Sequence, residues 1–196
     1  MANLEPSFTV VLIGDPDACE RLAGPIRDRA SLLLTGIVDH HEAAATVVGR
    51  APDVVVLIGP GGQGCETTLL ATELGRALPA SRLLVVVEDG QTVDAAALID
   101  GWVGGVVSID GPIALVDAIE AVASGEALID AGLAAAVLAR HQAGGSSVPL
   151  TATEQEVLRR LAEGATVDTL AAEYAVSPRL VRQHAGGALA RLHPVA

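Results

Sequence analysis

The sequence predicts an α/β protein in two parts, a doubly wound five-stranded parallel sheet followed by a small all-α domain. Three observations predict it. Apolar runs of Val, Ile and Leu recur five times in the first two thirds of the chain, each followed by a helical pattern. Strands that are apolar almost throughout are those buried on both faces, as in a parallel sheet sandwiched by helices. The last quarter has no such run but carries three helix starts in close order, behind a linker-like stretch, AGGSSVP (Ala143 to Pro149).

The first run, FTVVLIG (Phe8 to Gly14), stops at Asp15-Pro16-Asp17, a turn and helix-start signal, with a helical stretch through Leu22 and Ile26 behind it. LLLTGIVD (Leu32 to Asp39) is the second strand, followed by a helix from His41 to Gly49. Val54 to Ile58 is the third, ending in the glycine-rich GPGGQG (Gly59 to Gly64) before a helix near Thr67 to Leu78. Leu83 to Val87 and GGVVSI are the fourth and fifth, with helices at Thr92 to Trp102 and Pro112 to Ala123. A repeat of this kind over about 125 residues suits a flavodoxin-like domain, whose binding edge lies at the strand C-termini. A further helix, Asp130 to Arg140, leads to the linker. The expected division is 1–125 for the sheet domain, 126–149 for connector and linker, and 150–196 for the helical domain.

In the helical domain, Thr151 with Glu154 three positions on makes a capping box ahead of Val157, Leu158 and Leu161, and Gly164 ends that helix. Thr166 caps a second helix carrying Leu170, Ala171 and Tyr174 inward. Ser177-Pro178 starts a third, because proline at the first helical position lacks an N–H that would have no partner anyway. Val181, Ala185, Ala188 and Leu192 form its buried stripe, leaving Arg179, Arg182, Gln183 and Gly186 on the outer face. Two helices joined by a tight turn, the second with a polar outer face, is the helix-turn-helix plan that sets a recognition helix into the DNA major groove.

Composition limits the alternatives. Hydrophobic residues are 51% of the chain but aromatics only 2%, so the core is aliphatic. Net charge is −12, and all of it lies in 1–149, with 19 acidic against 7 basic residues; 150–196 holds five of each. Neutralised phosphates supply much of a groove binder's affinity, so a neutral module binds weakly as a monomer. Every basic residue is arginine; there is no lysine. Two cysteines, Cys19 and Cys65, and the lack of a signal-like N-terminus point to the cytoplasm, and no apolar run reaches the length of a membrane span.

LTATEQEVLRRLAEG and SPRLVRQH resemble the opening and the recognition helix of the LuxR-type helix-turn-helix of NarL/FixJ response regulators. The resemblance extends through the rest of the chain: APDVVVLI, GWVGGVVS and GEALIDAGLA are similar to the family's third strand, fifth strand and post-receiver connector. It implies a receiver domain whose functional residues have been lost. The family's paired acids correspond to Asp15 and Pro16, its phosphoacceptor aspartate to Ile58, its switch Ser/Thr to Val87 and its lysine to Ser108. An aspartyl phosphate needs a carboxylate nucleophile, and isoleucine has none. One aligned carboxylate is also a poor magnesium site. The receiver is therefore expected not to be phosphorylated on aspartate, and Asp15, Ile58, Val87 and Ser108 to form a degenerate, more apolar pocket open to a small-molecule ligand.

The plainer reading of GPGGQG is an unliganded turn, since no GK[ST] follows it. Asp15, Asp17, Glu88 and Asp89 are read as solvated loop carboxylates, His40 and His41 as surface histidines, and Cys19 and Cys65 as inert thiols. No acid/base pair, nucleophilic triad, metal site or cofactor site is evident, so no enzyme is expected.

The resemblance places Arg182 and Gln183 at base-facing positions, where arginine reads guanine and glutamine adenine, and His184 at the family's usual histidine on the DNA-binding helix. Arg179 and Arg191 are expected on phosphates. Gly186 and Gly187 weaken the recognition helix, and Leu192-His193-Pro194 stands where the family begins a fourth, dimerising helix. Pairing into a homodimer, or a heterodimer with another regulator, is then expected from the receiver or connector, with Trp102 and Val103 as an exposed apolar candidate. The expected function is promoter binding under the control of dimerisation, a ligand or a partner. The alternative is a protein-interaction module that sequesters another regulator without touching DNA.

Overall fold

The computed structural model describes residues 8–42, 46–47, 49–59, 64–87, 98, 103–108, 113–144 and 148–192. Five strands, β1 (Phe8–Ile13), β2 (Leu32–Val38), β3 (Val54–Ile58), β4 (Arg82–Val87) and β5 (Val103–Ser108), pair in parallel in the order β2-β1-β3-β4-β5. This is the predicted doubly wound sheet. Alternate residues of the central strands face opposite sides. Val10, Leu12, Val54, Val56 and Ile58 meet α1 (Pro16–Arg27) and α3 (Leu115–Ala123), while Val11, Ile13, Val55 and Leu57 meet α2 (Gly64–Ala77). Burial on both faces holds for β3, all of whose residues are buried, but not for β2, an edge strand with Leu33 46% exposed.

Helix ends follow their caps. Asp15 starts α1 by accepting from the N–H groups of Asp17 and Ala18, each at 3.1 Å. α3 begins at Leu115, later than the Pro112 expected, with an uncapped Ala114 before it. The helix expected at Thr92 to Trp102 lies largely outside the described residues, and the one at His41 to Gly49 partly so; Trp102, the loop 60–63, Glu88 and Asp89 also lie outside them. At the start of the His41 to Gly49 stretch, His40–Glu42 form a 3-10 turn. A pairing missed in the sequence ties β1 to the start of β3: Asp53 Oδ2 accepts from both the N–H and the hydroxyl of Thr9, each at 2.7 Å.

The C-terminal part contains α4 (Ala131–Gln142), α5 (Ala152–Ala162), α6 (Val167–Glu173) and α7 (Pro178–Leu192). The expected capping box is formed, Gly164 takes φ +92° after α5, and Ser177 Oγ accepts from Leu180 N–H at 3.2 Å. Val157, Leu158, Leu161, Leu170, Val181, Ala185, Ala188 and Leu192 are buried as read. Tyr174 is not; it is 39% exposed, with its hydroxyl 3.4 Å from Glu156. Val103 is a correction of a different kind: it opens β5 and is 1% exposed, so it offers no docking surface. Leu133, Ala134 and Val137 of α4 share one core with α5 to α7, which binds the connector helix to the helix-turn-helix.

Candidate nucleic-acid interface

The connector begins by extending the sheet. Val106 N–H donates to Leu128 O at 2.9 Å and Leu128 N–H to Gly104 O at 3.0 Å, a one-residue parallel bridge along the free edge of β5. Gly105 permits this, since a Cβ there would lie 2.8 Å from Leu128 Cβ. The bridge fixes Gly125, Glu126 and Ala127 beside the recognition helix α7.

The contact that follows is made by backbone. Ala127 N–H donates to the carbonyl of Arg182, inside α7, at 3.0 Å. Gly186 sits one turn further on, where a Cβ would fall 2.2 Å from Gly125 O. Only a residue without a side chain lets the connector lie this close. Gly186 is therefore not on the open face of α7, where the sequence reading put it.

Charge completes the dock. Glu126 is 5% exposed, and its carboxylate accepts from Arg182 Nε at 2.7 Å while pairing with Arg179 Nε at 3.1 Å. A buried carboxylate of this kind is tolerable only when paired, and here both partners come from the recognition helix. Of the five residues expected on DNA, Arg179 and Arg182 thus hold Glu126. Arg191 holds the capping-box carboxylate of Glu154, with Nε 3.0 Å from Oε1, while Gln183 is exposed and His184 half-buried. Glu126 itself carries no local signal in the sequence that would have marked it.

At the other end of the sheet, Asp15, Ile58, Val87 and Ser108 follow or end β1, β3, β4 and β5, and the parallel register gathers them on one edge, with Val87 opposite Ser108. Ile58 is a core side chain, 6% exposed and packed with Cys19, and a Cβ on Gly14 would lie 3.0 Å from its own. Asp15's carboxylate is occupied in capping α1. His40, read as a surface histidine, donates from Nε2 to Ile58 O at 2.8 Å. Cys19 is buried, and burial first, then the charges of Asp15, Glu20 and Asp39, push its thiol up to about 11, far from thiolate reactivity. Among the described residues no group of three or more His, Cys, Asp or Glu is placed to hold a metal, and no helix is long and apolar enough to cross a membrane.

A doubly wound sheet with a helix-turn-helix docked on its last strand defines the class: a receiver-like domain joined to a DNA-binding-type effector. Comparison with known proteins agrees. Residues 148–193 match the family of bacterial regulatory proteins, luxR family. The probable transcriptional regulatory protein NarL of Mycobacterium tuberculosis, in strains H37Rv and CDC 1551, is 28% identical over 191 residues, covering 94% of this chain and 88% of NarL. Among solved structures, the response regulator ChrA of a heme-sensing two-component system is 23% identical, with a TM-score of 0.51 over 92% of this chain and 87% of ChrA. RcsB of Salmonella enterica serovar Typhimurium, solved on promoter rprA with a phosphomimetic, is 18% identical, with a TM-score of 0.51 over 97% of this chain and 94% of RcsB. The structural likenesses establish the fold. The chain is a homologue of NarL-like response regulators with a LuxR-type helix-turn-helix at its C-terminal end.

Proposed function

We propose that this chain is a cytoplasmic transcriptional regulator that binds promoter DNA through α7, and that the closed arrangement is its non-binding state. The observation that carries the reading is Glu126: one buried carboxylate occupies Arg182 and Arg179, the cations the resemblance assigns to a base and a phosphate. A helix so held cannot enter a groove, because the connector lies against its Gly186 face and its guanidiniums are taken. The domain division is 1–125, 126–149 and 150–196, and binding as a homodimer offsets the weak charge of each copy. Selection of bound DNA fragments with the full chain and with Glu126→Gln tests this. The variant is expected to recover the same fragments as the wild type about tenfold more tightly, since charged hydrogen bonds contribute roughly 1.5 to 3 kcal/mol. Arg182→Ala is expected to lose selectivity. If neither protein recovers DNA, the reading is wrong.

The receiver in this reading is not switched by phosphate on aspartate. Ile58 stands in the core where the nucleophile would be, Asp15 caps a helix, and there is no lysine in the chain. Incubation with acetyl phosphate is expected to leave the intact mass unchanged, and Asp15→Asn, which keeps a capping side chain, to leave DNA binding as it was. Control then passes to a small molecule or to a partner protein that shifts the closed form toward the open one.

Two observations favour the second reading, a module that sequesters another regulator as a heterodimer: 150–196 has no net charge, and Arg191 is already tied to Glu154. Recovery of a second regulator, with no DNA for wild type or Glu126→Gln, would establish it.

A further inference from the structure

Two structural domains enclose a cleft at the end of the sheet opposite Asp15 and Ile58. Its volume is about 350 Å³, within the ~300 to 1,000 Å³ range of small-molecule sites. One wall is the receiver, with Pro79 and Arg82 before and at the start of β4 and Val103 opening β5; the other is the second half of α7, with Leu189 and Ala190. The connector residues Gly125 to Ala127 form the floor. Leu189 and Val103 are 7% and 1% exposed, and the side chains on both walls are largely apolar.

Two charged side chains reach the cleft, and they are not equivalent. Glu126 is occupied by Arg179 and Arg182. Arg82 is exposed, donates its backbone N–H to Asp53 O, and its guanidinium makes no hydrogen bond or ion pair among the described residues. Its Nη2 lies 3.4 Å from where a Cβ on Gly125 would be, so the unpaired cation lies across the rim of the cleft. A single guanidinium over apolar walls is complementary to one negative charge on a compact hydrophobic body. A dianion would find no second free cation and would face Glu126.

We infer that this cleft binds a small hydrophobic monocarboxylate, aromatic or medium-chain aliphatic, and that the bound acid holds the recognition helix shut. The coupling follows from the walls. Separation of α7 from the receiver removes Leu189 and Ala190 from the site, so the acid binds the closed form and not the open one. A ligand selective for one state shifts the equilibrium by its differential affinity. At a concentration of roughly 100 times its Kd, apparent DNA affinity falls about 100-fold. The inference rests on the closed form being the non-binding state.

The test titrates the isotopically labelled full chain with octanoate, phenylacetate and indole-3-acetate, following the backbone amides of Val103, Gly125 and Leu189. At least one acid is expected to move these amides saturably. Arg82→Gln, at an exposed strand start, is expected to weaken the response tenfold or more, and Ala190→Phe, which fills the cleft from an exposed helix position, to abolish it. The same acid is expected to weaken binding to a selected DNA fragment in the wild type but not in Ala190→Phe. No amide movement with any of the three acids overturns the inference, as does equal movement in Arg82→Gln, an equal response to inorganic phosphate, or binding of the acid without effect on DNA. Tighter DNA binding by Glu126→Gln with no response to any acid would sink the cleft and leave the closed-state reading standing.

Discussion

Gly186 lies in the middle of α7, where glycine costs about 1 kcal/mol relative to alanine. The sequence offers only that cost, and the residue reads as a defect in a recognition helix. Its reason is a carbonyl far upstream: a Cβ at 186 would sit 2.2 Å from Gly125 O and 3.2 Å from Ala127 N, both backbone atoms with little freedom to yield. Gly186→Ala therefore acts in opposite directions at two levels. It strengthens the helix locally and expels it from the connector. The variant is expected to show a larger radius of gyration by small-angle scattering than the wild type and tighter DNA binding. An unchanged radius of gyration would mean that the backbone contact does not hold the domains together. Glu126 is illegible in the sequence for the same reason, since nothing local distinguishes a carboxylate that will be buried by another domain from one that will stay in water. For Ile58 the sequence shows an apolar residue at the end of β3, which is a local property, but not that its side chain packs into the core with Cys19 instead of lining a pocket.

The elements most legible in the sequence are those whose signals are local. The capping box of α5, the Ser177 start of α7 and the proline-led start of α1 are all formed by side chains within three residues of the backbone they satisfy. Tyr174 departs from the predicted inward stripe because a helix of seven residues, Val167–Glu173, ends before the stripe reaches it. The capping box also does more than cap. Glu154 accepts from Thr151 N–H at 2.7 Å and receives Arg191 from the far end of α7, while Gly187 leaves room for it, a Cβ there lying 2.8 Å from Oε1. Burial alone would raise the Glu154 carboxyl, but the Thr151 N–H and hydroxyl and the Arg191 guanidinium outweigh it and hold it below the usual carboxylate range. A carboxyl depressed in the folded state adds stability above its unfolded value of about 4.3, and that stability is lost as pH falls through the lower folded value. Glu154→Gln keeps a side chain able to cap but removes the ion pair. It is expected to cost the helical domain about 1 to 2 kcal/mol at pH 7, by urea unfolding, with the difference from wild type shrinking as pH falls below about 4.3. A difference that stays constant across that range would mean the charge is not what matters.

Across the whole molecule, every arginine between 150 and 196 faces a carboxylate. Arg159 pairs with Glu156 and Glu163, Arg160 with Glu173, Arg191 with Glu154, and Arg179 and Arg182 with Glu126. Four of these acids lie in the helical domain itself and travel with it; Glu126 alone lies before it, on the connector. In the proposed closed state, opening therefore releases two cations and no more, both from the single connector carboxylate of Glu126. Each phosphate neutralised contributes about −0.9 to the slope of log affinity against log salt on duplex DNA. A homodimer binding through Arg179 and Arg182 alone has a ceiling near −4, and less if Arg182 reads a base rather than a phosphate. Arg179→Ala is expected to flatten the measured slope by about 1 per protomer without changing which fragments are selected, whereas Arg182→Ala changes the selection. A slope much steeper than −4 would mean that further arginines leave their carboxylates on binding, and that the helical domain rearranges internally as well as undocking.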